Sequence, residues 1–136
     1  MRYLGIDHGT KRTGLAICDP SETIVSPLAV LENRKDLIER IKAFIEKEGV
    51  EALVLGLPLN MDGSEGGQAK IVRKFAMQLK KAIDKPLYFQ DERLSSFGAA
   101  EKITPADYTR KKQQQRLDAI AAGEILQAFL DRGKSG

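Results

Sequence analysis

The sequence has no tryptophan, a single cysteine and a single histidine among its 136 residues. Each scarcity removes a class of explanation. One thiol, Cys18, cannot build an internal disulfide framework, and a Cys/His zinc centre lacks the ligands it needs. A lone cysteine inside the apolar run Gly14-Leu15-Ala16-Ile17-Cys18 reads as a small buried hydrophobe and suits a reducing compartment. Long apolar runs are missing too: nothing approaches the ~20 residues that would span a bilayer. The start, MRYLGIDHG, lacks the apolar stretch of a signal peptide and reads as a first strand, so the expected location is the cytoplasm. Aromatic residues make up 6% of the chain and form no obvious base-stacking platform.

What is present is ordinary for a folded protein. With 42% hydrophobic and 30% charged residues, the chain can bury one core, and a single domain over residues 1–136 is expected. A net charge of +3 is mildly basic. The cations cluster: Lys11 and Arg12 follow Asp7 closely, and Arg110, Lys111, Lys112 and Arg116 lie just ahead of the last predicted helix. Charge runs are most often solvated faces, so these clusters permit a polyanionic partner without requiring one.

The hydrophobic pattern predicts three β segments, roughly 2–7, 13–18 and 23–31, joined by short turn-rich stretches as in an antiparallel meander. Pro27 marks the third as an edge strand, where a missing N–H costs little. A helix over 34–48 follows, with Asn33 as its cap and Gly49 as its stop. The continuous apolar run 52–56 reads as a strand covered on both faces. After the polar loop LPLNMDGSEGG, Ser64 and Gln68 could open a helix over 65–83. A fifth strand, 86–90, ends in Asp91-Glu92-Arg93. A short helix over 95–103 stops before Pro105, and a last helix covers 115–131. This order predicts an α/β fold: a five-stranded mixed sheet, order 3-2-1-4-5 with strand 2 antiparallel, flanked by helices.

Three acids fall where such a sheet places its chemistry, at the C-terminal ends of neighbouring parallel strands. Asp7 closes strand 1. Glu92, with Asp91 beside it, closes strand 5, and strand parity lets only one of the two point at the site. Asp118 shares a helix face with Ala121, Ala122, Ile125 and Phe129, an unusual place for a carboxylate unless a cation faces it. Converging carboxylates can hold two Mg²⁺ or Mn²⁺ ions ~3.5–4 Å apart, the arrangement that hydrolyses phosphodiesters without histidine or cysteine. Taken singly, each acid has a bland alternative: a turn-capping Asp, or Asp118 as the N-cap of a helix starting at Ala119. His8 adjoins Asp7 but projects to the opposite face of a strand, which suits a structural role.

Four blocks, GIDHGTKRTGLAI, GLPLNMDGSEGGQAKIVRKFA, DERLSS and LDAIAAGEILQAFLD, occur in this order across nearly the whole chain. Together they resemble the YqgF family, also called RuvX, which is similar in fold to RNase H and the RuvC resolvase. The resemblance implies an RNase H-like nuclease with Asp7, Glu92 and Asp118 as catalytic, metal-binding acids, and it selects Glu92 over Asp91. It implies trimming of the 5′ end of pre-16S ribosomal RNA, with ribosomal or assembly-factor contacts, as a monomer or homodimer. Cleavage of Holliday junctions is the alternative activity. Gly9, Lys11, Arg12 and Gly14 match the turn after strand 1. Two departures stand out: His8, where a hydrophobic or aromatic residue is commoner, and the broken segment Ile103-Thr104-Pro105-Ala106-Asp107.

Under this reading Lys11, Arg12, Arg93 and the cluster Arg110, Lys111, Lys112 and Arg116 contact phosphates, and shape rather than base sequence is recognised. GIDHGT also resembles the phosphate-binding turn of the sugar kinase and actin superfamily. That fold needs two such domains, more than this chain holds. The rival class is a non-catalytic RNA- or protein-binding module, which has no need of an Asp within an apolar helix stripe.

Overall fold

The computed structural model describes residues 1–94 and 110–134, the side chains of 94, 110–116 and 133–134 excepted. Its strands are β1 (Tyr3–His8), β2 (Arg12–Cys18), β3 (Val25–Glu32), β4 (Ala52–Leu57) and β5 (Leu87–Asp91). Its helices are α1 (Leu37–Glu48), α2 (Gly67–Ala82) and α3 (Arg110–Lys134), and a 3₁₀ turn, Glu92–Leu94, follows β5. The strands form one sheet in the order β3-β2-β1-β4-β5. β2 runs antiparallel to both neighbours, while β1, β4 and β5 are parallel. This is the expected topology. β3 is the edge strand that Pro27 announced, and its register with β2 slips between Leu15 and Ala16, leaving Leu28 between the partners Ala29 and Pro27.

Side-chain alternation along the strands divides the core in two. Leu4 and Ile6 of β1, with Leu53, Leu55 and Leu57 of β4, face α1 and α2 and pack on Ile41, Ile45, Val72, Phe75 and Leu79. The other face carries Cys18 and Val54, covered by Ile125, Leu126 and Leu130 of α3. The Cys18 thiol is buried, accepts the Tyr3 N–H at 3.2 Å and donates to the Met1 carbonyl at 3.6 Å. Among the described residues no helix is long and apolar enough to cross a membrane.

The helix starts differ from the sequence reading, for local reasons. α1 begins at Leu37 after Asp36, with no side-chain cap, and Asn33 is instead bonded to the β1–β2 turn. Gly49 does end α1, in the left-handed conformation that favours glycine. α2 begins at Gly67 after Gly66, because Ser64 spends its hydroxyl and N–H on Asp62. α3 begins at Arg110, so the basic cluster forms its opening turns rather than a segment ahead of it. Asp118 is therefore mid-helix and cannot be an N-cap. The predicted helix over 95–103 and the segment 103–107 lie outside the described residues, as do the side chains of Arg110, Lys111, Lys112 and Arg116.

Candidate active site

Asp7 lies one residue from the end of β1, opposite Gly14 of β2. It points to the α3 side, since its neighbours Ile6 and His8 face the other way: Ile6 packs in the α1/α2 cluster, and His8 stacks on Phe75 of α2 with ring centroids 3.8 Å apart. The same alternation puts the two acids after β5 on different faces. Leu87 and Phe89 pack toward α2, whereas Tyr88 meets Tyr3 and Phe129 on the α3 side. Asp91 thus leaves the α3 face, and Glu92, opening the 3₁₀ turn, returns to it.

Asp7 and Glu92 meet there and share a hydrogen bond. Burial is the main reason that both carboxyls hold their protons more tightly than usual. Glu92 is pushed up to about 9 by desolvation, then by the hydrogen bond to Asp7 and by the charges of Asp7 and Asp91. At neutral pH Glu92 is accordingly the protonated partner, donating its O–H to the Asp7 carboxylate. For Asp7 the rise from burial and from the negative charge of Asp118 is opposed by that same hydrogen bond.

Asp118 comes from the middle of α3, and its carboxylate Oδ2 accepts a hydrogen bond from Arg12 Nε at 2.9 Å. Both side chains are partly buried. The sequence reading gave Arg12 to phosphate; the structure also makes it the partner of an acid 106 residues away. Among the described residues no three His, Cys, Asp or Glu side chains are already gathered around one point as a metal cluster. The arrangement is a carboxyl pair with a third acid close enough to raise Asp7 electrostatically, that acid being held by an arginine.

Three glycines permit this convergence, and the sequence reading missed their common role. A Cβ on Gly14 would stand 2.1 Å from the Asp118 carbonyl oxygen, and one on Gly5 would stand 2.8 Å from the Ala122 oxygen. A Cβ on Gly56 would meet Ile125 Cδ1 at 2.5 Å and Glu92 Oε1 at 2.8 Å. Gly14, Gly5 and Gly56 lie on the adjacent strands β2, β1 and β4. They form a trough into which α3 sinks and across which Glu92 reaches Asp7. The close approach of α3 is thus made from the sheet side by these glycines and from the helix side by the small, buried Ala122.

Two further placements differ from expectation. Arg93 is committed: its guanidinium grips Asp91, with Nη2 to Oδ2 at 2.7 Å, and donates to the Met61 carbonyl at 3.2 Å. It clasps the β4–α2 loop while remaining exposed. Gln90, which the sequence reading passed over, is buried two residues before Glu92, and its Oε1 has no hydrogen-bond partner among the described residues. An orphaned acceptor beside a carboxyl pair marks a place suited to a polar or cationic guest. The all-oxygen donors fit a hard divalent cation better than a soft one.

The chain also has relatives and structural neighbours. The family pattern described as "RuvX: Holliday junction resolvase" matches residues 1–132. A protein of Moorella thermoacetica named "Putative pre-16S rRNA nuclease" is 41% identical over 140 residues, covering 100% of this chain and 99% of that one. A protein of the same name from Rhodobacter capsulatus is 43% identical over 131 residues, covering 94% and 82%. Among solved structures, T. thermophilus RuvC in complex with a Holliday junction substrate aligns with a TM-score of 0.59 at 14% identity, covering 98% of this chain and 96% of that one. Fowlpox virus resolvase with Holliday junction DNA aligns with a TM-score of 0.56 at 14% identity, covering 97% and 98%. The two structures establish the RNase H-like fold alone. The family pattern and the full-length relatives establish more: this chain belongs to the RuvX family.

Proposed function

We propose that this protein is a metal-dependent endonuclease that hydrolyses nucleic-acid phosphodiesters, processing the 5′ end of pre-16S ribosomal RNA in the cytoplasm. One catalytic domain spans residues 1–136 in this reading. The observation that carries it is the half-buried Asp7–Glu92 carboxyl pair, set with Asp118 at the C-terminal ends of parallel strands. Such a pair is costly to bury unless something uses it. The names of the full-length relatives support RNA as the substrate.

Asp7, Glu92 and Asp118 would hold Mg²⁺ or Mn²⁺, in two sites by this reading. Bound there, the ions would activate a water as nucleophile and stabilise the leaving oxyanion. The chain's own residues do the rest. Glu92 carries a proton while the site is metal-free and gives it up on loading, so affinity rises with pH. Arg12 fixes the Asp118 carboxylate and presents its remaining N–H groups toward the cleft bounded by Gly9, Thr10 and Lys11. Arg93, by tying Asp91 to the β4–α2 loop, keeps that second acid out of the site.

The test is cleavage by the purified protein, with Mg²⁺ or Mn²⁺, of pre-16S 5′ fragments, unrelated single-stranded RNA and four-way DNA junctions. Asp7→Asn, Glu92→Gln and Asp118→Asn should each abolish cutting while remaining folded. Undiminished cutting by these variants would remove the site. The family description favours a second reading, a Holliday junction resolvase, and cutting confined to junctions would establish it instead. Binding without cutting of any substrate would leave a non-catalytic module.

A further inference from the structure

Three clefts around the β1–β2 turn are linked by shared lining residues. The first, about 160 Å³, is lined by Gly9, Thr10, Lys11, Arg12 and Asp118. The second, about 400 Å³, shares Thr10, Lys11 and Arg12 and adds Glu32, Asn33 and Arg34. The third, about 260 Å³, shares Asn33 and Arg34 and continues past Lys35 to His8 and Phe75. One groove therefore starts at Asp118 and passes Lys11, Arg12, Arg34 and Lys35 in turn. Beyond Asp118 its one lining acid, Glu32, is paired with Arg34, whose Nε donates to it at 2.9 Å. Lys11 and Lys35 have no ion-pair partner among the described residues.

The walls of the groove are the β1–β2 turn and the loop from β3 to α1, and Asn33 joins them. Its Nδ2 donates to the Gly9 carbonyl at 2.8 Å, and its backbone N–H donates to the Lys11 carbonyl at 2.9 Å. Its Oδ1 accepts the hydroxyl of the fully buried Thr13 at 2.7 Å. Having donated that proton, the Thr13 oxygen is an acceptor for His8 Nδ1 at 2.9 Å. The chain His8–Thr13–Asn33–Gly9 sets the turn that displays Lys11 and Arg12. This accounts for an asparagine that caps no helix and for a histidine that faces away from the acids.

Resting on the nuclease reading above, we propose that the sugar–phosphate backbone of the substrate leaves the acids along this groove. Lys11, Arg34 and Lys35 are its phosphate contacts, and Asn33 is the residue that positions them. The opposite exit, past Arg93, offers a guanidinium paired with Asp91 and bonded to the Met61 carbonyl, as Arg34 is paired with Glu32, whereas the groove adds Lys11 and Lys35, which have no ion-pair partner among the described residues. α2 carries more positive charge, with five Lys and Arg and no acid in its sequence, but it packs on the far face of the sheet from Asp118. Position along the groove, rather than total charge, is what the proposal requires.

The experiment compares two charge reversals of equal size, Arg34→Glu/Lys35→Glu in the groove and Lys80→Glu/Lys81→Glu at the C-terminal end of α2, away from Phe75 and Gln78, which line the third cleft. Binding of labelled single-stranded RNA and of a four-way DNA junction is measured by anisotropy in EDTA over a salt series. The groove pair should weaken binding at least about tenfold, and should lower the salt slope on single-stranded RNA by about 1.4, from two lost phosphate contacts. The α2 pair should stay within about threefold of wild type. Equal losses from the two pairs, or no loss from the groove pair, would overturn the proposal, as would a wild type that binds neither probe. Asn33→Ala keeps every charge, yet it should lower the salt slope by about 0.7; a lower melting temperature with an unchanged slope would refute its positioning role. Wild-type cleavage with Mg²⁺ is read separately. Binding lost in the groove pair without any wild-type cutting would sustain the groove and defeat the nuclease reading.

Discussion

Adding one methyl group at Gly14 should unseat α3, and adding one at Gly56 should disarm the site while leaving the fold in place. At Gly14 the new Cβ would sit 2.1 Å from the Asp118 carbonyl oxygen and 2.6 Å from its carbon. Both are helix backbone, which cannot turn aside. Restoring an ordinary contact moves the helix by about 1 Å or more, away from a face where Ile125, Leu126 and Leu130 are buried. Overpacking of this kind costs about 1–3 kcal/mol, and the loosened helix contacts place Gly14→Ala at the upper end. For a chain of this length that is a fall in Tm of roughly 10 °C. At Gly56 the obstacles are Ile125 Cδ1 and the Glu92 carboxyl, the ends of flexible side chains. They can swing away for about 1 kcal/mol, a fall of some 3–5 °C. The move takes Glu92 off Asp7, and a misplacement of about 1 Å can cost on the order of 100-fold in rate. Thermal unfolding by circular dichroism and metal-dependent cleavage separate the two outcomes. Gly14→Ala melting with wild type, or Gly56→Ala cutting at the wild-type rate, would show that these glycines do not make the room that α3 and Glu92 occupy.

Three other outcomes follow from the site's geometry. Glu92 binds its proton more tightly folded than unfolded, so in EDTA stability should be greatest below the unfolded pKa of 4.5 and fall as pH rises toward about 9. The slope is at most about 1.4 kcal/mol per pH unit for one proton, and Glu92→Gln should flatten that part of a Tm-against-pH series. Arg12→Ala removes the hydrogen-bonded ion pair with Asp118 and should cost about 1–2 kcal/mol in chemical denaturation. Adding Asp118→Ala should recover part of this, giving a coupling of at least about 0.5 kcal/mol in the double-mutant cycle. His8→Phe keeps a ring against Phe75 but loses the hydrogen bond to Thr13, so a loss of about 1 kcal/mol is expected, and no loss would show that bond to be idle.

The sheet was legible because its strands announce themselves locally, by alternation or by a continuous apolar run between turn residues. Helix beginnings were less so. The start of α3, RKKQQQR, contains good helix formers but no apolar residue, so a reading based on hydrophobic period cannot see it. Asn33 looked like a cap because its type favours caps, yet its partners Thr13 and Gly9 lie 20 and 24 residues away. Asp7 and Glu92 stood out at strand ends, and strand parity agrees with the family resemblance in choosing Glu92. The trough of Gly5, Gly14 and Gly56 was hidden for a different reason. Each glycine alone is merely a poor strand residue, and only the register of β2, β1 and β4 brings the three to one face, with Gly14 opposite Asp7 and Gly5 two residues back along β1. The pairing of Arg12 with Asp118 likewise belongs to the docked helix and to no stretch of sequence.

Cys18 takes on a use of its own in this architecture. Its thiol is 1% exposed beneath α3, and burial raises its pKa. A thiol reagent can therefore reach it only when its cover opens, which is α3 together with the Met1–Tyr3 segment bonded to the thiol. The ratio of its labelling rate to that of an unprotected thiol reports the free energy of that opening. The chain thus carries its own stopwatch for the helix that delivers Asp118. It runs without substrate, metal or added probe sites, because no second cysteine competes for the reagent.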